Sequence, residues 1–466
     1  MEHMTLDEIV KAVQGEIVIP GKFTGFNLVS TDTRKIEKGN IFIALKGEKF
    51  DANDYIEEAS SKGAAICIVD QIKYNSEEIQ KDTTIIKVED TGKALLDLAE
   101  FYRSKLNLKV VAITGSTGKT STKDLVAAAL SSKYKVFKTE GNFNNQIGLP
   151  LMIFKLDNNY DIAVLEMGMN NLDEIHSMAK AARPDIALIT NVGTAHIGML
   201  GSRENILKAK LEITDFFDHK SILVINTDND LLSTVKTDKF KIVKTAVDND
   251  VEFKAEDIEL GEASVDFTLR ENGHNTGEKF HADVPGKHTI YNSLLAIACG
   301  KVLGIENKDI IQGLKNLQTT AMRLDIIKGS KFNIIDDCYN ANTESMRAAI
   351  EVLKNINSNR RVVVLGTMGE QGKIAFEAHR AVGKYAAENG VDLLITLGEF
   401  NNAYEEGFKL GLTNKFKSEF KAFDDYDKAV DYLLNEYLKS GDTVLVKASR
   451  AEKFEKIVDK LKKNNG

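Results

Sequence analysis

The residues with the most obvious chemical use lie between 115 and 121, in the run Gly115-Ser116-Thr117-Gly118-Lys119-Thr120-Ser121. The apolar stretch Val110–Thr114 precedes it and the helix-forming stretch TKDLVAAAL follows it. Glycines let backbone N–H groups turn toward an anion, and a helix starting there adds partial positive charge. In such a loop Lys119 reaches the β and γ phosphates of a nucleotide and the Thr120 hydroxyl ligates magnesium. The standard pattern has glycine where Ile113 stands, so the run is a shortened version, TGSTGKT. A plain glycine turn is the alternative; the flanking strand and helix favour phosphate.

Three further residues could complete a charge-handling site. Glu166 closes the apolar run IAVLE, where a carboxylate can hold magnesium through oxygen, the donor that hard cations prefer; a helix-capping or solvated glutamate is the competing reading. His196 follows IALITNVG in the turn TAH, as a ligand or as a structural histidine. Lys210 is the most informative. The segment ENILKAKLEITDFF reads as a helix with Ile206, Leu207, Leu211, Ile213 and Phe217 on one stripe. At about 100° per residue Lys210 falls within that stripe, whereas Lys208 falls with Glu204, Glu212 and Asp215 on a polar side. A buried ammonium is costly. Either it pairs with a phosphate or carboxylate, or desolvation favours the neutral amine, which can take up carbon dioxide to form a carbamate and bind a second magnesium. A lysine whose stem is buried while its head reaches water is the third possibility.

These residues must be positioned by a larger frame. The chain has 466 residues, too many for one ordinary core. Residues 1–107 alternate short strands (NIFIAL, AAICIVD) with helices and read as a small α/β domain. From 108 to 318 the runs KVVAIT, IAVLEMG, IALITNVG and SILVINTDN have the continuous apolar character of parallel strands buried on both faces, which makes a doubly wound sheet. Residues 319–466 repeat the pattern with FNIIDD, RVVVLGTMG, DLLITLGE and DTVLVKAS, a third α/β domain of Rossmann-like character. Open parallel sheets gather ligands beyond the carboxyl ends of their strands. Glu166, Asn191, His196, Asp337 and Lys447 all stand at or just after such ends.

Composition narrows the function. A net charge of −8 gives no general attraction to nucleic acid or to an anionic membrane. No signal peptide is read at MEHMTLDEIV, and no apolar run approaches the ~20 residues of a membrane span. The three cysteines, Cys67, Cys299 and Cys338, form no CxxC pair, which suits a reducing cytoplasm and argues against structural zinc. Only the last few residues are expected to lack order.

The motifs together resemble the Mur ligases of peptidoglycan synthesis. The resemblance covers all three blocks and rests on Ser30-Thr31-Asp32-Thr33-Arg34, TGSTGKT, the segment Gly141–Gly148 (GNFNNQIG), LEMG, NVGTAH, AKLEI, GKHTIYNSLLAIA and DDCYNANTESM. It implies an ATP-dependent ligase that activates a carboxylate as an acyl phosphate and joins it to an amine. The last motif points to the member reaction in which D-alanyl-D-alanine is joined to a UDP-linked muramoyl tripeptide. The implied frame is a uridine-nucleotide domain, a central ATPase domain and a third domain that closes on the nucleotide, in a monomer.

Residue by residue, the resemblance gives Lys119 and Thr120 the phosphate and magnesium roles. Glu166 and His196 resemble metal ligands for two magnesium ions, and Lys210 resembles a carbamylated lysine. Asn292 resembles a contact to the nucleotide base, and Arg323 an arm reaching the γ-phosphate. Asp337, Tyr339, Asn340 and Asn342 resemble the surface of the third domain that lies on the nucleotide. Ser30, Asp32, Thr33 and Arg34 resemble the uridine contact; Asn142, Asn144 and Asn145, together with Lys447, Ser449 and Arg450, resemble contacts to the other substrates. The chain departs from the family pattern at Met167 (for leucine), Thr343 (for proline), Ala448 (for glycine) and Asp51-Ala52-Asn53 (for DGH).

Two rivals remain. A related ligase adding one amino acid is the first, but the DNPR signature and an N-terminal GxGGxG turn are both missing; folylpolyglutamate synthetase shares the central block without the STDTR and DDCYNANTESM pair. A nucleotide-controlled switch is the second, and it gives no role to Lys210 or Arg323.

Overall fold

The protein, described by a computed structural model over residues 1–23, 25–414 and 417–465, is built on three sheets. The first has five strands in the order Glu16–Ile19, Thr84–Lys87, Ile66–Val69, Asn40–Ile43, Leu28–Ser30, with only Glu16–Ile19 antiparallel to its neighbour. Its carboxyl-terminal helix Thr91–Ser104 packs on helices Gly148–Ile153 and Glu174–Ala182 of the central layer. Tyr102, fully buried on this helix, donates its hydroxyl to the Leu156 carbonyl at 2.6 Å and accepts from the Glu2 N–H at 2.7 Å. The first sheet is thereby fastened to the second.

The central sheet has nine strands. Six run in the order Val136–Lys138, Ile162–Glu166, Lys109–Thr114, Ile186–Ile189, Ile222–Asn226, Lys241–Ala246, all parallel. Alternation along Lys109–Thr114 shows the two-faced burial that its apolar run implied. Val110 and Ala112 enter the core formed with Leu98, Leu149 and Met178, while Val111 and Ile113 face Leu125, Val126 and Leu294 on the opposite side. Each of the valine, leucine, isoleucine and methionine side chains among these contributes roughly 1.5–3 kcal/mol on burial. From Lys109–Thr114 the chain winds outward and back to Ile162–Glu166, then crosses to Ile186–Ile189 on the other flank. That reversal opens a crevice at the carboxyl ends of these three strands.

Three strands beyond this frame carry no expectation from the sequence. Phe253–Leu260, Val265–Glu271 and His274–Ala282 extend the sheet, the last two antiparallel. Their buried alternation, with Val265, Phe267 and Leu269 inside and Asp266 and Thr268 less so, is that of a sheet wet on one face. The third sheet runs Asp325–Ile327, Asn333–Asp336, Thr443–Lys447, Arg361–Leu365, Leu393–Leu397, Glu419–Phe423, with only the first strand antiparallel. The α/β reading with a doubly wound centre is borne out. The expectation of a loose carboxyl end is corrected as far as Asn465, Gly466 lying outside the described residues: the Asn465 side chain accepts from the Lys331 and Phe332 N–H groups and donates to the Phe332 carbonyl at 2.6 Å. Among the described residues no helix is long and apolar enough to cross a membrane.

Candidate functional site

The helix Lys119–Leu130 begins at Gly118, which sits at φ 77° and offers no side-chain cap. The first N–H groups of this helix are therefore left for an anion. A side chain at Gly118 would also meet Asn292 Oδ1 at 2.9 Å, so the left-handed turn and the approach of Asn292 both require glycine. Asn191, at the end of Ile186–Ile189, shapes the loop: its Oδ1 accepts from the Ser116 and Thr117 N–H groups at 3.1 and 3.0 Å. Ser116 Oγ accepts in turn from the Gly193 N–H at 2.9 Å. Lys119 donates to the Gly115 carbonyl at 2.7 Å, and burial lowers the pKa of its ammonium, with Glu166 opposing that shift and Arg323 adding to it.

Thr120 is the meeting point. Its hydroxyl donates to Glu166 Oε2 at 3.0 Å and accepts from the Arg323 guanidinium at 3.1 Å. Glu166 is 2% exposed, and its other oxygen accepts from Asn144 Nδ2 at 2.9 Å. Both partners of this carboxylate are neutral, and among the described residues it enters no ion pair. A buried carboxylate that no cation contacts directly is expensive, and adjoining carboxylate and hydroxyl oxygens are the donor set of a hard divalent cation. The residues present therefore fit magnesium.

Lys210 is buried as its helical position implied, at 1% exposed. Among the described residues its side-chain amine makes no hydrogen bond or ion pair. Burial, reinforced by the nearby positive charge of Lys119, pushes its pKa well below the usual lysine range. Its ammonium gives up a proton more readily than an ordinary lysine's. The helix holding it is shorter than the periodicity suggested: it spans Arg203–Leu211 and passes into a 3-10 turn, Glu212–Thr214. The change of twist after Leu211 corrects the placement of Glu212 on the polar side. Glu212 turns inward and accepts from the Asp173 and His176 N–H groups at 2.8 and 3.1 Å, satisfying the start of helix Glu174–Ala182.

The third sheet supplies the opposite wall. Arg323 lies with its guanidinium 3.9 Å from the Tyr339 ring centre, and is bracketed by Met322 at φ 61° and Leu324 at φ 55°. Left-handed non-glycine residues cost about 1–3 kcal/mol each where the surroundings impose them. Glu344 accepts from the Thr194 N–H at 2.9 Å and from its hydroxyl at 3.0 Å. Glu370 lies 2.6 Å from His196 Nδ1, too oblique for a straight hydrogen bond, and the ring beside it lowers its carboxyl pKa. The backbones touch here as well: the Gly198 N–H donates to the Glu370 carbonyl at 3.1 Å, and a Cβ on Gly198 would lie 2.7 Å from the Gly372 nitrogen.

The other candidates have partners of their own or lie exposed nearby. Asn342 caps helix Thr343–Asn355, its side-chain oxygen accepting from the Ser345 N–H at 2.9 Å. Lys447 is 2% exposed and lies 2.5 Å from Asp337 Oδ2, with its ammonium also donating to the Asn340 carbonyl at 2.9 Å. It braces the Asp337–Asn340 turn from behind. Ser449 is buried and bonds the Thr367 carbonyl through its N–H, while Arg450 is exposed and pairs with Glu455 at 3.4 Å. Asn145 accepts from the Gly148 N–H at 2.7 Å, and Asn142 is exposed on the same loop. In the first sheet, Ser30 and Asp32 close a turn, and Asp32 accepts from the Arg34 N–H and side chain at 3.0 and 2.8 Å. Thr33 uses its carbonyl to receive Lys62.

Sequence reasoning assigns no role to Glu344 or Glu370. Both depend on how the third domain docks, which no local pattern encodes. Ser121 and Asn292 lie close to the loop, Ser121 lining a small cavity with Asp124, Thr289, Thr320 and Arg323.

A phosphate loop, a buried carboxylate and an arginine carried in from a third sheet define the class of protein: this chain belongs to the Mur ligase family. Its residues 26–103 match the model described as Mur ligase family, catalytic domain; residues 113–300 match the Mur ligase middle domain, and residues 322–450 the Mur ligase, glutamate ligase domain. Within the family, the chain is 37% identical over 464 residues, 99% of each chain, to the UDP-N-acetylmuramoyl-tripeptide–D-alanyl-D-alanine ligase of Bacillus subtilis (strain 168). The fold superimposes on a crystal structure of MurF from Acinetobacter baumannii with a TM-score of 0.89 at 31% identity, covering 99% of both chains. It also matches the MurF ligase of Thermotoga maritima in complex with ADP, with a TM-score of 0.82 at 28% identity over 94% of this chain and 97% of that one.

Proposed function

We propose that this chain joins D-alanyl-D-alanine to a UDP-linked muramoyl tripeptide, using ATP and passing through an acyl phosphate, as a monomer in the cytoplasm. One observation carries the chemical reading: the Thr120 hydroxyl is touched at once by Glu166 and by Arg323. Loop, carboxylate and the arm of the third domain thus converge on one atom. The full-length likeness to D-alanyl-D-alanine ligases supports the substrate pair.

A carboxylate that attacks the γ-phosphate brings two anions together, so catalysis is mainly neutralisation and positioning. Lys119 and the open N-terminus of its helix hold the terminal phosphates. Arg323, stacked on Tyr339, spreads the charge that develops on the transferred phosphoryl group. Asn292, beside Gly118, is placed to meet the nucleoside. Thr120 and Glu166 would hold magnesium, which when bound screens the β and γ oxygens from the incoming carboxylate. Lys210, its amine buried and without a side-chain partner among the described residues, is suited to add carbon dioxide once deprotonated, its nitrogen forming the new bond and releasing a proton. The resulting carbamate and His196 would offer donors to a second magnesium. The acyl phosphate then yields to the free amine of the dipeptide, giving an amide and phosphate. Glu344 and Glu370, resting on Thr194 and His196, close the third domain over the crevice and exclude water that would hydrolyse the activated acyl group. Asn144, fixed by Glu166, and the exposed Asn142 and Asn145 line the approach of the sugar-peptide; Ser30, Asp32, Thr33 and Arg34 offer a polar turn to its uridine end.

The test is an amine screen with ATP and the UDP-linked tripeptide, read by mass spectrometry. A product carrying D-alanyl-D-alanine is expected. Addition of a single amino acid instead, or ATP hydrolysis that needs neither acceptor nor sugar-peptide, would overturn the reading.

A further inference from the structure

Arg323 comes to Thr120 from a linker that the phosphate helix itself holds. Asp124, one turn along that helix from Thr120, is 3% exposed. Its Oδ2 accepts from the Thr320 N–H at 2.9 Å and from the Thr320 hydroxyl at 2.7 Å. Its Oδ1 receives Lys138 at 2.7 Å, and Lys138 also donates to the Gln318 carbonyl at 3.3 Å. The linker is therefore clamped at 318 and 320, immediately before the two left-handed residues that flank Arg323. On the far side the third sheet takes over: the Met322 N–H donates to Asp325 at 2.7 Å and the Leu324 N–H to Asp337 at 3.3 Å.

The residues that make this strut touch neither the phosphate loop's anion-facing groups nor the Thr120 hydroxyl. This buried carboxylate pairs one oxygen with Lys138, and with Lys123 at 3.6 Å, and turns the other to the linker hydroxyl and amide, a specific arrangement because an oxygen left without a donor at that depth is disfavoured. Two unfavourable backbone conformations in a row of three residues need outside contacts to persist, and the clamp and the two aspartates provide them. We propose that Asp124 and Thr320 are positioning residues: they tie the interdomain linker to the helix that carries Lys119 and Thr120, and so set where Arg323 points. The assignment rests on the ligase reading for its kinetic consequence but not for its structural one.

The experiment is a double-mutant cycle with a structural readout alongside. Thr320→Val removes the hydroxyl and keeps the backbone donor; Thr320→Ser keeps both. In the full-length enzyme, Thr320→Val is expected to lower turnover about tenfold with the KM for ATP changed less than about twofold, and Thr320→Ser to restore it. In an Arg323→Ala background, Thr320→Val should cost nothing further, since the group it aims is gone. An equal loss in both backgrounds would overturn the proposal. Hydrogen exchange is read on the same variants with ADP present: the Met322 and Leu324 amides should exchange about tenfold faster in Thr320→Val, with those of strand Lys109–Thr114 unchanged. Unaltered exchange at 322 and 324 would also overturn it. This second measurement needs no ligase product. Failure of the wild type to ligate would therefore count against the proposed function, while the exchange rates at 322 and 324 would still decide for or against the strut.

Discussion

The nucleotide crevice and the turn at 30–34 are both read as binding surfaces, yet they are built in opposite ways. In the crevice the central groups are held by other elements: Thr120 by Glu166 and Arg323, Glu166 by Asn144, the loop amides by Asn191. In the turn, Asp32 holds Arg34 two residues away, and the Arg34 side chain is 85% exposed. A site that must stabilise developing charge needs its groups fixed beforehand, because reorganising them during the reaction wastes the interaction. A site that only retains a substrate handle can be completed by the substrate. Losses in the crevice should therefore fall on turnover, and losses in the turn on substrate affinity.

The sharpest way to break the crevice is Lys210→Ala. Synthesis should fall by on the order of 1,000-fold, the upper range for losing one contact to transition-state charge, with partial recovery when short carboxylic acids are added. Full activity would retire the carbamate. Arg323→Ala should cut turnover by about 100-fold while ATP affinity, measured by calorimetry, stays nearly constant; unchanged turnover would remove the arginine from phosphoryl transfer. Glu344→Gln weakens the contact that seats the third domain on Thr194 and should cost about tenfold, or ~1.4 kcal/mol. Uncoupled ATP hydrolysis should rise in parallel as water enters.

Lys210 also carries a stability signature. Its folded pKa lies well below the ordinary lysine value, so between the two the unfolded chain binds more protons than the folded one. Stability contributed by this position therefore climbs as pH rises toward the usual lysine range. Lys210→Met should be inactive yet melt higher than the wild type at pH 7, by about 2–4 °C for each kcal/mol regained, and the gap should narrow by pH 10. A constant gap would mean that Lys210 is charged in the folded protein. The smallest effect belongs to the turn. Arg34→Ala should raise the KM for the uridine substrate by about threefold, with turnover untouched.

The same contrast separates what is legible in the sequence from what is hidden there. Strands such as Ile162–Glu166 are legible because burial on both faces leaves an uninterrupted apolar run, and Lys210 is legible because a lysine interrupts an apolar stripe. Glu212, two residues later, is not: the helix tightens into a 3-10 turn after Leu211, and the 100° count no longer applies. The added strands at 253–282 follow an alternating rule rather than the two-faced one, so they show no continuous apolar run to mark them. Asn342 stands out through its motif, and its part as a helix cap shows only in space. Glu344, Glu370 and Thr320 act across a domain boundary, where partners are set by docking, which residue spacing does not encode.

The most direct test of phosphoryl capture by a carboxylate follows oxygen. Tripeptide substrate labelled with 18O in its terminal carboxyl group, incubated with ATP and D-alanyl-D-alanine, should deliver one labelled oxygen to the inorganic phosphate released. Phosphate free of label, formed alongside the amide product, would contradict the acyl phosphate and the arrangement of Lys119, Thr120, Glu166 and Arg323 built to make it.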